Sequence, residues 1–455
     1  MLAAARPQHG DRRSGRARAE ADEAHQSRPD RRMQLVALGR APPSPSRNSL
    51  HGLDWFVFFL ADAQVGFGPL IAVYLTAEKW TQGDIGLVLT IGGLVALIGQ
   101  MPGGALVDAA RSERVVAAFA VIALAASAFM FAAWPVFAVV LAAKVLHSAA
   151  SCILGPAIGA ISLGLVGHAA LGNRFGRNAR FASLGAGFAA LGMGTIGYLV
   201  SNRAVFFVTV ALCVPTLLAL RMIRAGEVDA ERAHGGRAAP HKGHPEEPLW
   251  SLAHNRPLII FAGGLMLFHL ANAAMLPLTA SVVTMRSSDS AAPLVAACIL
   301  VPQVVVAALA PWVGRQSVRL GRRPLLLLGF GALSVRGALL ALVSSPYTLV
   351  AVQVLDGISA TVLAVLVPLI IADVTRGTGH FNLAQGAVGS AVGIGASLSP
   401  MIAGYTTDQY GSAVAFFGLA ALATIGFVSV LLLMPETGKG PSGPVTEVLR
   451  KGATS

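Results

Sequence analysis

Long apolar stretches separated by short polar segments run along the chain from about residue 55 to residue 434. Each stretch has about 18 to 25 residues, enough at the helical rise to cross a hydrocarbon core of ~30 Å. Helices are expected, because an unpaired backbone group facing lipid would cost several kcal/mol. The pattern predicts twelve membrane-spanning helices, near residues 55–76, 83–104, 115–134, 136–161, 180–200, 204–222, 257–279, 291–313, 324–344, 347–371, 383–405 and 412–434.

Composition leads to the same class of protein. Of 455 residues, 55% are hydrophobic and 12% are charged, against roughly 25% charged residues in a soluble domain. The formal net charge of +12 does not indicate a nucleic-acid partner, because the basic residues collect on alternate loops. The opposite loops hold Lys79, Arg203 and Arg286 and little else. By the positive-inside rule, the basic loops and both termini are expected in the cytoplasm.

A basic turn occurs twice, at an offset of 210 residues. The first copy consists of Gly104, Asp108, Arg111 and Arg114, and the second of Gly314, Val318, Arg319, Gly321, Arg322 and Arg323. A second repeat places Lys144 and His147 opposite Gln353 and Asp356, at an offset of 209. The chain is therefore expected to contain two related halves, as in transporters whose path lies between two similar bundles.

The repeat and the polar segments divide the chain into five parts. We expect a disordered basic tail at residues 1–50, six-helix bundles at 51–222 and 257–436, a cytoplasmic linker at 223–256 and a cytoplasmic tail at 437–455. No cleaved signal peptide is expected, since no sufficient apolar core precedes residue 53, and Met33 is as plausible a start as Met1. His234, His241 and His244 could suggest a metal site, but a solvated linker without Cys is the favoured interpretation.

Twelve spans in two halves, a cytoplasmic middle loop and a basic turn of the form G-x-x-x-D-R-x-G-R-R between the second and third span of each half resemble the major facilitator superfamily. The second copy of the turn matches except that Val318 replaces the Asp, and the first keeps Gly104 and Asp108. Lys144 stands where the family's fourth span has an Arg. The resemblance implies two pseudo-symmetric six-helix bundles, with spans one, four, seven and ten lining a central cavity.

The basic turns are candidate gating elements. A glycine near the end of a span permits close helix approach. The carboxylate of Asp108 can pair with Arg111 or Arg114, or cap a helix N-terminus across the gap, and so latch the cytoplasmic ends together. The alternative is that these arginines only enforce topology.

Polar and ionisable residues inside the spans form the candidate substrate and coupling site, because a charge at the bilayer centre costs about 2.5 to 3.5 kcal/mol on insertion scales. Pairs three residues apart share a helix face. The candidates are Asp62, Gln64, Lys144, His147, His269, Asn272, Gln303, Gln353 and Asp356. The polar side chains could instead only join helices, and Lys144 could form a structural ion pair with Asp356 or Asp62. Arg336 in the ninth span has no functional assignment from the sequence.

The sequence therefore predicts a proton-coupled secondary transporter of the bacterial inner membrane, acting as a monomer without cofactor or metal. Asp62 and Asp356 are the expected coupling carboxylates. Export of a drug-like or metabolic compound is the first hypothesis, and uptake or export of an organic anion steered by Lys144, His147 and His269 is the second. An integral-membrane enzyme is disfavoured because no HExxH, GxSxG or P-loop pattern occurs. A transport-inactive sensor is also disfavoured, since residues 437–455 are too short for a folded signalling domain.

Overall fold

The computed structural model describes residues 45–65, 71, 74, 75, 78–236, 254–286 and 291–438, and most of these residues are helical. The helices are α1 (Arg47–Val65), α2 (Gln82–Ala109), α3 (Glu113–Ala133), α4 (Phe137–Leu199), α5 (Asn202–Met222), α6 (Ala230–Ala233), α7 (Arg256–Asn272), α8 (Met275–Arg286), α9 (Ala291–Arg319), α10 (Arg322–Leu342), α11 (Pro346–Val374), α12 (Phe381–Tyr410) and α13 (Ser412–Leu433). A 3-10 turn at Ala225–Glu227 precedes α6.

Interruptions at two places explain why the observed helix limits differ from those of the expected spans. Within α4 the backbone leaves helical geometry at Gly167, where φ is 64°, a conformation that glycine adopts without steric cost. The break separates a first arm, residues 137–166, from a second arm, residues 168–199. The seventh expected span is interrupted after Asn272, where the backbone N of Ala274 donates to Ser399 Oγ on α12 at 3.0 Å.

In the part of the chain that the structure describes, ten helical stretches are long and apolar enough to cross a membrane. One of them, Phe137–Gly197, contains both arms of α4 and so two expected spans. The first expected span begins in α1 and runs into residues outside the described part. The prediction of an all-helical membrane protein is confirmed, and the described helices are consistent with twelve spans.

The buried apolar side chains form two large clusters. One joins α1, α3, α5 and the first arm of α4, with Phe56, Leu124 and Leu154 among its members. The other joins α7 and α9 to α13, and Phe175 from the second arm of α4 packs into it. The second arm of α4 therefore ties the two clusters together.

Two seams join the first-half helices to the second-half helices, and glycines permit both. On the seam between α2 and α12, a Cβ added at Gly104 or Gly386 would overlap backbone oxygen of the opposite helix. On the seam between α4 and α9, a Cβ added at Gly314 would lie 2.5 Å from the carbonyl oxygen of Gly172. At these positions a side chain would force the helices apart.

Both seams lie toward the same end of the molecule. We call it the basic end, because Arg111, Arg174, Arg319 and Arg376 lie there, where α2 and α9 end and α12 begins. By contrast, Met401 lies in the part of α12 far from the basic end, and it is 73% exposed. The halves are therefore in contact next to the basic end.

A short segment after the last helix also belongs to the basic end. Glu436 lies beyond α13, and its carboxylate accepts hydrogen bonds from the backbone N of Arg322 at 2.8 Å and of Arg323 at 3.1 Å. These are first-turn amides of α10, which have no acceptor within their own helix. Glu436 thus caps α10 from a distant part of the chain.

Candidate functional site

Arg336 forms the centre of a buried polar cluster in the second half. Its side chain, on α10, is 1% exposed. Nη1 donates to Asp356 Oδ1 at 2.6 Å and to Asn272 Oδ1 at 2.6 Å, and Nη2 donates to Gln353 Oε1 at 2.8 Å. The cluster therefore joins α7, α10 and α11 through one guanidinium.

The local sequence explains this convergence. Gln353 and Asp356 are three positions apart on α11, so both face α10. Asn272 is the last residue of α7. Within the described chain, Arg336 Nε is buried without a hydrogen-bond partner. A guanidinium this deeply buried would be strongly unfavourable without Asp356, so the carboxylate and the arginine depend on each other.

Lys144 and His147 lie on the first arm of α4. The Lys144 side chain runs along α2 at Gly92, where an added Cβ would lie 2.6 Å from Lys144 Cγ. Within the described residues no carboxylate oxygen lies within 4.0 Å of the Lys144 ammonium nitrogen. His147 is 8% exposed, and its Nε2 lies 3.5 Å from Ser151 Oγ.

The structure brings three of the sequence-predicted site residues together: Asn272, Gln353 and Asp356 share Arg336. It does not pair Lys144 with Asp356, since Arg336 occupies that carboxylate. His269 Nδ1 lies 3.0 Å from the carbonyl oxygen of Leu265 in its own helix. Gln303 is half-buried on α9, and the side chains of Asp62 and Gln64 lie outside the described residues.

A second site of interest is the Asp108 cap at the basic end, where Asp108 meets the first turn of α12. Its Oδ2 accepts from the backbone N of Leu383 at 2.7 Å. Its Oδ1 accepts from Asn382 Nδ2 at 2.8 Å and from Asn382 N at 3.3 Å. A carboxylate there accepts hydrogen bonds from first-turn amides that have no partner within their own helix. Its negative charge is also stabilised by the positive end of the helix dipole. Asp108 caps a helix across the seam, one of the two arrangements expected from the sequence.

The other expected arrangement, pairing with Arg111 or Arg114, is absent from the described contacts of Asp108. Arg114 Nη2 instead lies 3.4 Å from the carbonyl oxygen of Leu220 on α5, and Arg111 is exposed. The physical reason is geometric, because the start of α12 lies opposite the end of α2, and Asp108 accepts its three described hydrogen bonds from Asn382 and Leu383.

The second copy of the basic turn makes different contacts. Arg322 Nε donates to Asp373 Oδ2 on α11 at 2.9 Å, and Arg322 Nη1 donates to the carbonyl oxygen of Ser317 at 2.7 Å. Gly321 has φ 89°, which a glycine tolerates and which turns the chain into α10. Arg323 Nη2 donates to the carbonyl oxygen of Leu431. With Val318 in place of an acidic residue, this copy ties α10 to α11 and α13.

Part of the middle linker packs against both halves near the Asp108 cap. The backbone N of Asp229 donates to the carbonyl oxygen of Gly164 at 3.2 Å, and the backbone N of Gly377 donates to Gly235 O at 2.8 Å. His234 Nε2 lies 3.2 Å from Glu113 Oε1 at the start of α3, and His234 is 13% exposed. We call residues 225–236 the docked segment, since it touches helices of both halves.

The docked segment corrects the sequence interpretation of His234 as part of a solvated linker. The polar sequence predicted that this segment is exposed to solvent, but backbone acceptors and the buried Glu113 hold the segment in place. His241 and His244 lie outside the described residues. Among described residues, no group of three His, Cys, Asp or Glu side chains has the arrangement of a metal site.

Sequence reasoning also missed an ion-pair network at the basic end of the first half. Asp54 on α1 is 1% exposed and is bound by Arg174, which is 3% exposed, and by Arg177 through Nη2 at 2.6 Å. Arg174 Nε donates to Asn178 Oδ1 at 2.8 Å, and Asn178 Nδ2 donates to Ser162 Oγ at 2.8 Å. The available signal was an acidic residue just before the first expected span, together with basic residues between the fourth and fifth expected spans.

Comparison with known proteins agrees with this architecture. Residues 54–310 and 264–453 match the family model described as Major Facilitator Superfamily. Proteins of two Mycobacterium tuberculosis strains, each described as an uncharacterized MFS-type transporter, are 40% identical over 402 residues, covering 87% of this chain and 94% of each relative. The chain therefore belongs to the Major Facilitator Superfamily of membrane transporters.

More distant relatives add fold-level support. The class B tetracycline resistance protein of Escherichia coli is 33% identical over 139 residues, which is 30% of this chain and 34% of that protein. Among solved structures, the Escherichia coli fucose:proton symporter FucP aligns with TM-score 0.66 and 15% identity over 84% of this chain and 97% of its own. The human organic anion transporter MFSD10 aligns with TM-score 0.62 and 16% identity over 86% and 100%.

Proposed function

We propose that the chain exports a small drug-like or metabolic compound across the bacterial inner membrane by alternating access, driven by protons. The basic end faces the cytoplasm in this proposal, with both termini on that side, and the transporter acts as a monomer. The positive-inside distribution of Lys and Arg supports this orientation. With this orientation, the structure corresponds to a state closed toward the cytoplasm.

The observation that carries the proposal is the buried ion pair of Arg336 with Asp356. Asp356 Oδ1 accepts from Arg336 at 2.6 Å within a membrane-spanning helix. Protonation of Asp356 would remove the charge that compensates Arg336, and burial makes that change costly. A proton on Asp356 therefore changes the relative free energies of the arrangements of α7, α10 and α11. Such a difference is what coupling to a conformational equilibrium requires.

The proposed direction and substrate class have separate support. The limited similarity to a protein named for tetracycline resistance favours a drug-like substrate. The glycine-rich second arm of α4, which forms one seam, favours repeated closing and opening at the basic end. Asp62 remains the second proposed coupling carboxylate, on the resemblance of α1 to a cavity-lining helix.

The experiment uses purified protein in proteoliposomes that contain a fluorescent pH indicator. A panel of drugs and metabolites is added, and proton movement driven by each compound is recorded. We expect Asp356→Asn to abolish compound-driven proton movement while part of the proton-independent exchange of a labelled compound remains. Asp408→Asn removes an exposed carboxylate of α12 and is the matched control. Proton movement retained by Asp356→Asn would refute the assignment of Asp356.

Lys144 favours a second candidate substrate class, the organic anions. Within the described residues it has no carboxylate partner, so an anionic group could supply the missing charge in a site of low dielectric. Lys144→Ala should then weaken binding of anionic compounds about tenfold or more and spare neutral ones. Equal loss for both kinds of compound would identify Lys144 as a structural residue.

A further inference from the structure

A basic cleft opens at the basic end between α1 and the second arm of α4. It has a volume of about 350 Å³ and is lined by Arg47, Leu50, His51, Arg174 and Arg177. Arg47 and His51 are exposed, and the side chain of Arg177 is 49% exposed. Polar side chains therefore lie at the surface of this cleft and belong to neither the Arg336 cluster nor the Asp108 cap.

The charges of the cleft do not balance. In the described part of the chain, Asp54 is the one carboxylate bound by Arg174 and Arg177, so among these three side chains there is one positive charge in excess. Arg47 adds a second positive charge. Arg177 uses Nε and Nη2 to bind Asp54, and in the described chain no protein acceptor is within hydrogen-bond distance of its Nη1. The fixed ion pair holds Arg177 in place, which lowers the entropy lost when it binds an anion.

Aromatic side chains continue from the cleft toward the middle of the membrane. Arg47, His51 and Trp55 follow at intervals of four on α1, so they share a face and span about 12 Å along the helix. Trp55 lies 6.0 Å from Phe181, ring centroid to ring centroid, and the Arg177 guanidinium carbon lies 5.7 Å from the Phe181 centroid.

Further aromatic side chains on α1 and the second arm of α4 continue this surface. Phe58 lies 5.9 Å from Phe188 between ring centroids, and Trp55 lies 5.7 Å from Phe59. Trp55 is 45% exposed and Phe188 is 64% exposed. We call Trp55, Phe58, Phe59, Phe181 and Phe188 the ring surface. A basic cleft followed by a ring surface along two parallel helices matches a molecule with an anionic head and an apolar chain.

We propose that this cleft is a binding site for an anionic glycerophospholipid of the cytoplasmic leaflet, with the phosphate at Arg47, His51 and Arg177 and an acyl chain along the ring surface. The lipid site rests on the proposed function only for the orientation of the basic end toward the cytoplasm. Guanidinium groups bind phosphate through several donors, and anionic lipids attract basic residues at the membrane surface. A soluble phosphate would use the charge but leave the ring surface without a role.

The test measures lipid binding by native mass spectrometry of the purified protein in detergent. Probes are phosphatidylglycerol, phosphatidylcholine of the same chain length, and inorganic phosphate as competitor. We expect phosphatidylglycerol to bind more tightly than phosphatidylcholine. The double variant Arg47→Gln with His51→Gln should weaken phosphatidylglycerol binding about fivefold or more, since each basic residue near an anionic headgroup contributes about this factor.

Matched variants distinguish the site from general surface charge. Arg256→Gln with His254→Gln removes one exposed arginine and one exposed histidine elsewhere and should leave binding unchanged. Phe188→Ala should weaken lipid binding, whereas Phe119→Ala, at a residue 68% exposed on α3, should not. Thermal unfolding without lipid checks that each variant is folded.

Three outcomes would overturn the proposal. Equal binding of phosphatidylglycerol and phosphatidylcholine would show that the cleft does not recognise an anionic headgroup. Equal losses in the two double variants would show diffuse electrostatic attraction. Competition by inorganic phosphate at concentrations similar to those of the lipid, with Phe188→Ala unchanged, would indicate a site for a soluble anion. Because these measurements need no transport assay, their result is independent of proton coupling.

Discussion

Asp108 Oδ2 on α2 lies 2.7 Å from the backbone N of Leu383 on α12, although the two residues are 275 positions apart. This contact joins the first half to the second at the basic end. A carboxylate at a helix N-terminus typically contributes 0.3 to 1 kcal/mol, and up to about 2 kcal/mol when partly buried. Asp108 therefore stabilises the contact between α2 and α12.

We expect Asp108→Asn to shift the protein toward opening at the basic end, since the amide keeps an acceptor but loses the negative charge. A shift of about 1 to 2 kcal/mol is a change of roughly 5- to 30-fold in the open-to-closed ratio. The measurement is maleimide labelling of Ala105→Cys, a half-buried position on α2 one turn before Asp108. Asp84→Asn, at the other end of α2, is the control. Identical labelling rates in the presence and absence of Asp108 would limit the role of the basic turn to topology.

Gly104 should be intolerant of even one added carbon. A Cβ there meets the Asn382 backbone, whereas a Cβ at Gly86 on the same helix meets nothing within 4 Å. We expect Gly104→Ala to separate α2 from α12, raise labelling at Ala105→Cys and lower the apparent Tm, because overpacking typically costs 1 to 3 kcal/mol. Gly86→Ala should leave both measurements unchanged. If the two variants behave alike, the seam does not depend on close helix approach.

The Arg336 cluster predicts a strong coupling between two substitutions. Arg336→Met alone leaves Asp356 without its cation, and breaking a buried pair costs about 3 to 5 kcal/mol. Adding Asp356→Asn to Arg336→Met should restore part of the lost thermal stability in detergent. Tm values from a double-mutant cycle check this. Losses that simply add would mean that the pair does not stabilise the fold as a unit.

The docked segment should loosen when the contact between Glu113 and His234 is weakened. Glu113→Gln removes the charge that faces His234, so we expect faster hydrogen exchange at the backbone amides of residues 229–236. A loss of about 1 kcal/mol corresponds to roughly fivefold faster exchange. Glu231→Gln, at an exposed position of the same segment, is the control. Unchanged exchange in Glu113→Gln would show that contacts such as the backbone hydrogen bonds with Gly164 and Gly377 hold the segment without the Glu113 charge.

The helices were predictable because membrane spans depend on local apolarity, which is read directly from the chain. Contacts between helices that are distant in the sequence were not predictable in this way. Arg336 and Asp356 were each identified as charges within spans, yet their pairing was missed. The loop after α10 joins it to α11 as an antiparallel neighbour, so charges at similar depth on either side of that loop face each other. That relation was available in the sequence.

Loop residues were harder, since polarity alone does not separate a solvated segment from a docked one. His234 and His241 belong to the same polar linker in the sequence, and the contact of His234 with Glu113 appears only in the folded structure. Asp54 posed the same difficulty, because its partners Arg174 and Arg177 lie on the second arm of α4, 120 and 123 positions later in the chain. Such contacts depend on how the helices assemble.

The cap that Glu436 places on α10 sets a limit on how far the chain can be shortened. The last helix ends at Leu433, and a truncation or fusion designed there would remove the acceptor of two first-turn amides of α10. The damage would appear near Arg322 and Asp373, far from the cut in sequence. Affinity tags and fluorescent fusions should therefore be attached after residue 438, where the capping segment is complete.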